Sequence, residues 1–319
     1  MQKQILITGA AGFIGFHLAR YLKERGDGVV GYDNFNDYYS PELKKHRSEN
    51  LQKVGVDVIV GDICDPSCLD EIVKEHQITH IAHLAAQAGV RYSLENPLTY
   101  IRSNIEGFTH ILEVCRQNTP ISLIYASSSS VYGLNEKNLF SEKDRTDCPV
   151  SVYGATKKSN ELLAYSYHHL YHFPVTGLRF FTVYGPWGRP DMAYYSFTRS
   201  ILEGKPIDLF NFGKMKRDFT YIDDIVRGTA AAIDLSAPCE IFNLGNHKPV
   251  ELQSFIQILE QALGKKAQLD PKPMQKGDVL GTFADIQHSQ EKLGYFPSTS
   301  LEEGIPRFVK WFKDYHITK

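Results

Sequence analysis

The chain of 319 residues carries a formal net charge of −2, with 42% hydrophobic and 23% charged residues. This composition is typical of a globular protein of about two domains, and it argues against a nucleic-acid-binding or membrane-facing surface. The five cysteines are odd in number and form no Cys-x-x-Cys pair, which favours reduced thiols and a cytoplasmic location.

A strand, a glycine-rich turn and a helix open the chain. The apolar run Gln4–Thr8 predicts the first strand, so close to the amino terminus that we expect no signal peptide. An amphipathic helix follows, and then a second strand at residues 29–32, which ends at Asp33. These elements predict a mononucleotide-binding half. Its glycines let the backbone turn, approach a pyrophosphate and pack the helix closely: Gly9, Gly12 and Gly15.

Asp33 stands where a carboxylate accepts hydrogen bonds from the adenosine ribose of a dinucleotide. A 2′-phosphate would meet a like charge at this position. The next residues are Asn34 and Phe35, so no arginine follows at once to accommodate such a phosphate. The sequence therefore predicts NAD rather than NADP as the cofactor.

Strands and helices alternate through the first half of the chain. This order predicts an α/β fold of the Rossmann type, with a doubly wound parallel sheet. Residues 34–53 are expected to form a loop with one short helix. The further predicted strands are residues 56–60, 80–84, 123–127 and 175–181, and the helices between them are residues 67–75, 100–117 and 153–172.

The alternation loosens after residue 178, where Pro and Gly become frequent. We therefore expect a dinucleotide-binding domain at residues 1–178 and a smaller, partly interleaved substrate domain at residues 179–319. A helix at 223–235 and a strand at 240–244 lie within residues 217–245, which are expected to rejoin the first sheet. No apolar run reaches the roughly 18 residues of a membrane span, and no histidine cluster has the accompanying ligands of a metal site.

Tyr153 and Lys157 are four residues apart in a predicted helix and so share one face. Free tyrosine has a pKa of about 10, and a nearby ammonium group lowers it. Tyr153 is therefore a candidate general base for a hydroxyl proton. The pair follows the strand that runs into Ser128, Ser129 and Ser130, so these hydroxyls are expected to lie nearby.

These motifs together resemble the extended short-chain dehydrogenase/reductases that act on nucleotide sugars. The resemblance covers essentially the whole chain. The stretches at residues 83–93, 180–192 and 214–224 are similar to those of UDP-glucuronate 4-epimerases. It implies an NAD-dependent inversion at C4 of a UDP-sugar, UDP-glucuronate to UDP-galacturonate, through a transient 4-keto intermediate. It also implies a homodimer formed through the helices at residues 100–117 and 153–172.

The resemblance also implies roles for individual residues. Lys157 would hold the nicotinamide ribose and lower the pKa of Tyr153, and Ser128 would bond the sugar O4. Arg217 would meet the UDP phosphates, where the sequence alone allows a solvated basic turn. Gln275 and Asp278 would lie near the nucleotide. The implied NAD contacts are Gly9, Gly12, Phe13, Ile14, Gly15, Asp33, Asn34, Asn36, Asp62, Ile63, Leu84, Ala85, Ala86, Tyr153 and Lys157.

Other reactions begin with the same oxidation at C4. A 4,6-dehydratase relative carries Asp-Glu where Ser129 and Ser130 stand, and a UDP-glucuronate decarboxylase carries Glu at the second of these positions. Serine does not titrate near neutral pH, so both reactions are disfavoured. UDP-glucose 4-epimerase is the alternative, and a non-catalytic NAD-sensing protein is the alternative from another class.

A 4-keto glucuronate is a β-keto acid that loses CO₂ readily, so an epimerase must hold its carboxylate. Ser129, Ser130 and Thr182 follow the carboxyl ends of predicted neighbouring strands and offer hydroxyl donors. Arg189 can grip a carboxylate with two parallel bonds, and Arg91 is a further candidate. The serines could instead cap a polar turn, and Arg189 could contact phosphate or solvent.

Overall fold

A seven-stranded parallel sheet organises this computed structural model, which describes residues 2–135, 137, 139–274 and 279–317. The sheet has the strand order β10-β6-β5-β4-β1-β2-β3, and two smaller sheets have the orders β11-β9-β7 and β12-β8. The strands are β1 (Gln4–Thr8), β2 (Gly28–Asp33), β3 (Val58–Val60), β4 (His80–His83), β5 (Ser122–Ser128), β6 (Val175–Phe180), β7 (Thr182–Tyr184), β8 (Pro206–Phe210), β9 (Lys216–Tyr221), β10 (Cys239–Leu244), β11 (Pro249–Glu251) and β12 (Gln268–Lys272).

Helices cover both faces of the central sheet. A π-helical stretch, Ile101–Glu106, joins two of them, and short 3₁₀ turns lie at Ser129–Tyr132 and Asn211–Gly213. The α-helices are α1 (Phe13–Arg25), α2 (Pro41–Lys53), α3 (Pro66–Glu75), α4 (Tyr92–Glu95), α5 (Pro97–Tyr100), α6 (Gly107–Gln117), α7 (Val152–Tyr171), α8 (Ala193–Glu203), α9 (Ile222–Leu235), α10 (Leu252–Leu263), α11 (Gln287–Leu293) and α12 (Leu301–His316).

The central strand β1 explains why the fold is predictable from its apolar run. Ile5, Leu6 and Ile7 are all fully buried, because helices cover the sheet on both sides. β1 pairs with β2 on one side and with β4 on the other, so the strand order reverses beside it. In open α/β sheets a ligand crevice forms at such a point, outside the carboxyl ends of the strands. The predicted fold class is confirmed.

Local capping fixes the two helices that border this crevice. α1 starts directly at the glycine turn and is capped at its carboxyl end by Gly26. This glycine adopts φ +100°, a left-handed conformation that glycine adopts at low energetic cost. α7 begins after Ser151, whose Oγ accepts a hydrogen bond of 3.0 Å from the Gly154 N–H. This cap sets the first turn of α7, where Tyr153 lies.

The structure departs from the predicted elements in three places. Residues 34–53 contain a helix of thirteen residues, α2, because Leu43 and Leu51 give it a buried face. The short strands β7, β8 and β9 were not predicted, although Ile207, Asp208 and Leu209 of β8 alternate between apolar and polar residues. Lys216 and Arg217 lie in β9 rather than in a turn.

The carboxyl-terminal half is interleaved with the first half. β10 pairs in parallel with β6 and forms the edge of the central sheet, while α9 packs on α1. The two smaller sheets and helices α8, α10 and α12 lie beside the central sheet. The division into domains at residue 178 stays a prediction.

Candidate active site

A cavity of about 950 Å³ lies at the carboxyl ends of the central strands and continues into the smaller sheets. The structure brings the predicted site residues together around it. Gln275 and Asp278 lie outside the described residues. The predicted residues that line the cavity are Gly9, Gly12, Phe13, Ile14, Gly15, Asp33, Asn34, Asn36, Asp62, Ile63, Leu84, Ala85, Ala86, Arg91, Ser128, Ser129, Ser130, Tyr153, Lys157, Thr182, Arg189 and Arg217.

The glycine turn leaves no room for side chains at two positions. Gly9 adopts φ +73°, and a Cβ there would lie 2.7 Å from the Ala85 nitrogen. A Cβ on Gly15 would lie 2.1 Å from the Gly9 carbonyl oxygen, so α1 packs directly against the turn. Glycine is therefore required at both positions, and the first turn of α1 faces the cavity with free backbone N–H groups.

Asp33 and Asp62 anchor the loops at the far end of the cavity. The Asp33 carboxylate accepts bonds from the N–H groups of Ala11 (3.0 Å) and Phe35 (2.9 Å). Burial raises the pKa of Asp33, while these bonds and the cations on α2 act in the opposite direction. Burial opposes ionisation of Asp62 as well, yet bonds from Cys64 and Asn34 leave its pKa below the usual value. Both groups are placed to accept bonds from a ligand.

Tyr153 and Lys157 lie on one face of α7, as their spacing predicts. Burial raises the pKa of Tyr153, and the Ser128 hydroxyl and the charge of Arg189 oppose this rise. Lys157 is 2% exposed, and its Nζ donates a bond of 2.9 Å to the Ala126 carbonyl. In the structure Ser128 and Arg189 lower the pKa of Tyr153, and burial outweighs both. An effect of Lys157 on this pKa stays a prediction.

A serine-rich turn continues from β5 beneath the Tyr153 ring. The Ser128 Oγ accepts a bond of 3.1 Å from the Ser130 N–H and so starts the 3₁₀ turn Ser129–Tyr132. The preceding Ser127 donates 2.7 Å to Glu161, which forms a buried ion pair with Arg179. This network fixes the end of β5. The Ser128 hydroxyl thus caps the turn, and Ser128, Ser129 and Ser130 line the cavity. A grip of Ser129 and Ser130 on a substrate carboxylate stays a prediction.

Arg189 differs from its predicted arrangement. Its Nε and Nη2 atoms bond both carboxylate oxygens of Asp191, at 3.1 and 2.5 Å. Tyr38 Oη donates to the same carboxylate at 3.2 Å. The guanidinium fork thus has a carboxylate partner within the protein. A grip of Arg189 on a sugar carboxylate stays a prediction. Arg91 stacks over the Phe210 ring, 4.9 Å from its centroid.

Several cavity-lining residues were not predicted. Lys44 is buried, and its Nζ donates to the Asn36 carbonyl at 2.7 Å. Burial lowers the pKa of Lys44 to about 8. Gln87 is held by Asn104, which lies in the π-helical stretch and bonds both the N–H and the carbonyl of Gln87. The only sequence signal for these residues is the three-residue spacing of Lys44 and Arg47, which puts both on one face of a helix.

Comparison with known proteins places the chain. Residues 5–245 match the model of the NAD dependent epimerase/dehydratase family. The chain belongs to this family. Among its members, UDP-glucuronate 4-epimerase 4 from Arabidopsis thaliana is 51% identical, over 98% of this chain and 76% of the relative. UDP-glucuronate 4-epimerase 1 from the same organism is 50% identical, over 98% of this chain and 77% of the relative.

Solved structures of this epimerase/dehydratase family share the fold. The UDP-glucuronic acid 4-epimerase from Bacillus cereus, in complex with UDP-glucuronic acid and NAD, superposes with a TM-score of 0.93 at 36% identity. The match covers 98% of this chain and 100% of that chain. The UDP-glucose 4-epimerase from Thermotoga maritima, with UDP-glucose, has a TM-score of 0.89 at 31% identity, over 98% of this chain and 99% of that chain.

Two further properties concern the described residues alone. None of their helices has the length and apolar character needed to cross a membrane. No group of three or more His, Cys, Asp or Glu side chains among them is arranged to hold a metal ion. All five cysteines are free thiols.

Proposed function

We propose that this protein catalyses the NAD-dependent C4 epimerisation of UDP-glucuronate to UDP-galacturonate. The observation that carries the proposal is the placement of Tyr153, Ser128 and Lys157 in one cavity with the glycine turn. The similarity to UDP-glucuronate 4-epimerases, over nearly the whole chain, supports this substrate.

The residues of this chain fit NAD. The glycine turn that a Cβ would fill leaves space for a pyrophosphate beside the N–H groups of α1. Asp33 would bond the adenosine ribose, Asp62 and Ile63 would contact NAD, and Lys157 would hold the nicotinamide ribose; all four residues line the cavity. When bound, NAD would supply the hydride acceptor and donor for oxidation and reduction at sugar C4, with the hydride returned to the opposite face.

The protein's own groups handle the proton of the O4 hydroxyl. Tyr153 Oη takes that proton as the C4 carbonyl forms and gives it back after the sugar has turned over. Ser128 shares a hydrogen bond with Tyr153 and is placed to bond the same sugar oxygen. The phenolate of Tyr153 is the form that takes the O4 proton, and burial raises the pKa at which it forms, so we expect the rate to increase with pH.

The carboxylate of the intermediate requires separate control. Ser129, Ser130 and Thr182 line the cavity with short hydroxyl donors that do not titrate near neutral pH. We propose that they hold the carboxylate out of the geometry in which CO₂ leaves. Arg189, with its fork on Asp191, would act through its charge or meet phosphate instead.

UDP-glucose epimerisation is the second candidate. The similarity to the Thermotoga maritima UDP-glucose 4-epimerase supports it, since the fold and catalytic machinery are common to both reactions. Cavity hydroxyls can bond a neutral CH₂OH group as well as a carboxylate. The two substrates therefore need direct comparison.

Product analysis with both substrates tests the proposal. Purified protein, without added NAD, is given UDP-glucuronate or UDP-glucose, and the products are separated by mass spectrometry and chromatography. We expect UDP-galacturonate as the main product. Ser130→Ala and Thr182→Ala should reduce inversion and release more UDP-4-keto-pentose, whereas Ser159→Ala, on the outer part of α7, serves as the control. Conversion of UDP-glucose alone would contradict the proposal.

We also propose a cytoplasmic homodimer. Exposed apolar side chains lie on, or directly before, the two helices expected to form the interface, residues 100–117 and 153–172. Leu98 is 80% exposed, and Leu162 and Tyr165 are 58% and 62% exposed. Covering such a surface with a second copy would remove this apolar area from water.

A further inference from the structure

Arg47, on α2, is fully buried and donates a complete set of hydrogen bonds. Its Nη1 bonds the Ala11 carbonyl at 2.9 Å and the Tyr39 hydroxyl at 2.7 Å. Nε and Nη2 bond the Trp187 carbonyl at 3.1 and 2.6 Å, and Nη2 also bonds the Gly188 carbonyl at 3.1 Å. All five N–H donors of the guanidinium are thus used.

These acceptors belong to two distant parts of the chain. Ala11 lies within the glycine turn, and its N–H donates to Asp33. Trp187 and Gly188 directly precede Arg189 and Asp191, which line the opposite wall of the cavity. One buried side chain therefore connects the turn proposed to hold the cofactor with the loop proposed to meet the substrate.

The loop is held in a conformation that needs support. Trp187 adopts φ +59°, a left-handed backbone conformation that is unfavourable for a residue with a side chain. Its ring packs on Phe16 and Trp311, with centroid distances of 5.5 and 5.3 Å. The aromatic contacts fix the Trp187 ring, and Arg47 fixes the carbonyl groups of Trp187 and Gly188 through hydrogen bonds.

We propose that Arg47 is a positioning residue that fixes the loop at residues 185–192 against the glycine turn. It thereby sets Arg189 and Asp191 for the nucleotide sugar whenever the cofactor turn is in place. This inference rests on the proposed epimerisation for its kinetic consequences. The structural link between the glycine turn and the loop does not depend on the proposed epimerisation.

Two consequences separate this role from plain stabilisation. Displacement of Arg189 removes a positive charge that lowers the pKa of Tyr153 against burial, so the rise of kcat/KM with pH should move to higher pH. Displacement of the loop also weakens substrate contacts, so KM should rise by more than kcat falls.

Arg47→Met, Arg47→Lys and the control Ile121→Ala test the proposal. Ile121 is 1% exposed and directly precedes β5, at the amino ends of the strands and away from the cavity, so its truncation lowers stability without touching the loop. For Arg47→Met we expect KM for UDP-glucuronate to rise by roughly tenfold or more, a reduced content of retained NAD, and a shifted pH profile. Arg47→Lys, with fewer donors but the same charge, should recover part of each effect.

Hydrogen–deuterium exchange of residues 185–192 completes the test. The proposal predicts faster exchange of these amides in Arg47→Met and, to a smaller extent, in Arg47→Lys, but not in Ile121→Ala. It is overturned if exchange, KM and pH profile match those of wild type, or if Ile121→Ala shows the same changes. A failure of wild type to epimerise would refute the proposed function, while exchange would still decide the role of Arg47. Should Arg47→Met not fold, Arg47→Lys carries the same comparison.

Discussion

The Lys157 ammonium lies in an environment that disfavours its charge. The side chain is 2% exposed, and burial lowers its pKa from 10.5 to about 8. At about 1.4 kcal/mol for each pH unit, this difference corresponds to roughly 3 kcal/mol of folding free energy at neutral pH. The hydrogen bond from its Nζ to the Ala126 carbonyl offsets about 1.5 kcal/mol of this destabilisation.

Lys157→Met should therefore stabilise the cofactor-free protein while it abolishes activity. The methionine keeps an unbranched apolar stem and removes the buried charge, so the free energy of unfolding should increase by roughly 1–2 kcal/mol at pH 7. The folded-state pKa of wild type is depressed, so the cost is complete below about pH 8. It disappears as the pH rises to 10.5, and the advantage of the variant should shrink across this window.

Urea denaturation of cofactor-free proteins at pH 7 and pH 9.5 measures the effect. Lys158→Met is the matched control, because that side chain is 21% exposed and its Nζ lies 3.6 Å from Glu161. We expect the control to lower stability or leave it unchanged, because it removes an ion pair with Glu161 and not a buried, desolvated charge. A Lys157→Met protein that is less stable than wild type at pH 7 would refute the reasoning.

Three further predictions concern the catalytic residue, the cofactor and the assembly. Tyr153→Phe should lower turnover by roughly 10²–10⁴-fold with NAD still bound, and near-normal turnover would place the base elsewhere. Cofactor released by denaturation should be mostly NAD, because Asp33 would repel a 2′-phosphate; chiefly NADP would contradict this. Light scattering at micromolar concentration should give the mass of a dimer, and Leu98→Glu should shift it to the monomer. A monomeric wild type would count against the interface.

The strand and helix pattern could be predicted well wherever burial alone decides it. β1 has its predicted bounds, because Ile5, Leu6 and Ile7 form an uninterrupted apolar run. The glycine spacing and the acid at the end of β2 also identify the cofactor side of the cavity, because both depend on local geometry. The predicted site residues that the structure describes all line one cavity. Their individual roles remain predictions.

What could not be predicted depends on contacts between distant segments. Arg47 bonds Trp187 across 140 residues of sequence, and no local pattern marks either residue as a partner. The pairing of Arg189 with Asp191 is local, but only the fold shows that it uses the guanidinium fork. The pKa of Tyr153 likewise depends on how far its ring is buried, which spacing on a helix does not determine.

The central claim is that inversion at C4 proceeds by removal and return of the same hydrogen within one site. UDP-glucuronate carrying deuterium at C4 tests it most directly, with purified protein and no added NAD. We expect UDP-galacturonate that keeps its deuterium at C4, as measured by mass spectrometry and NMR. Product that has exchanged the deuterium for solvent hydrogen, or the absence of any C4 epimer, would contradict it.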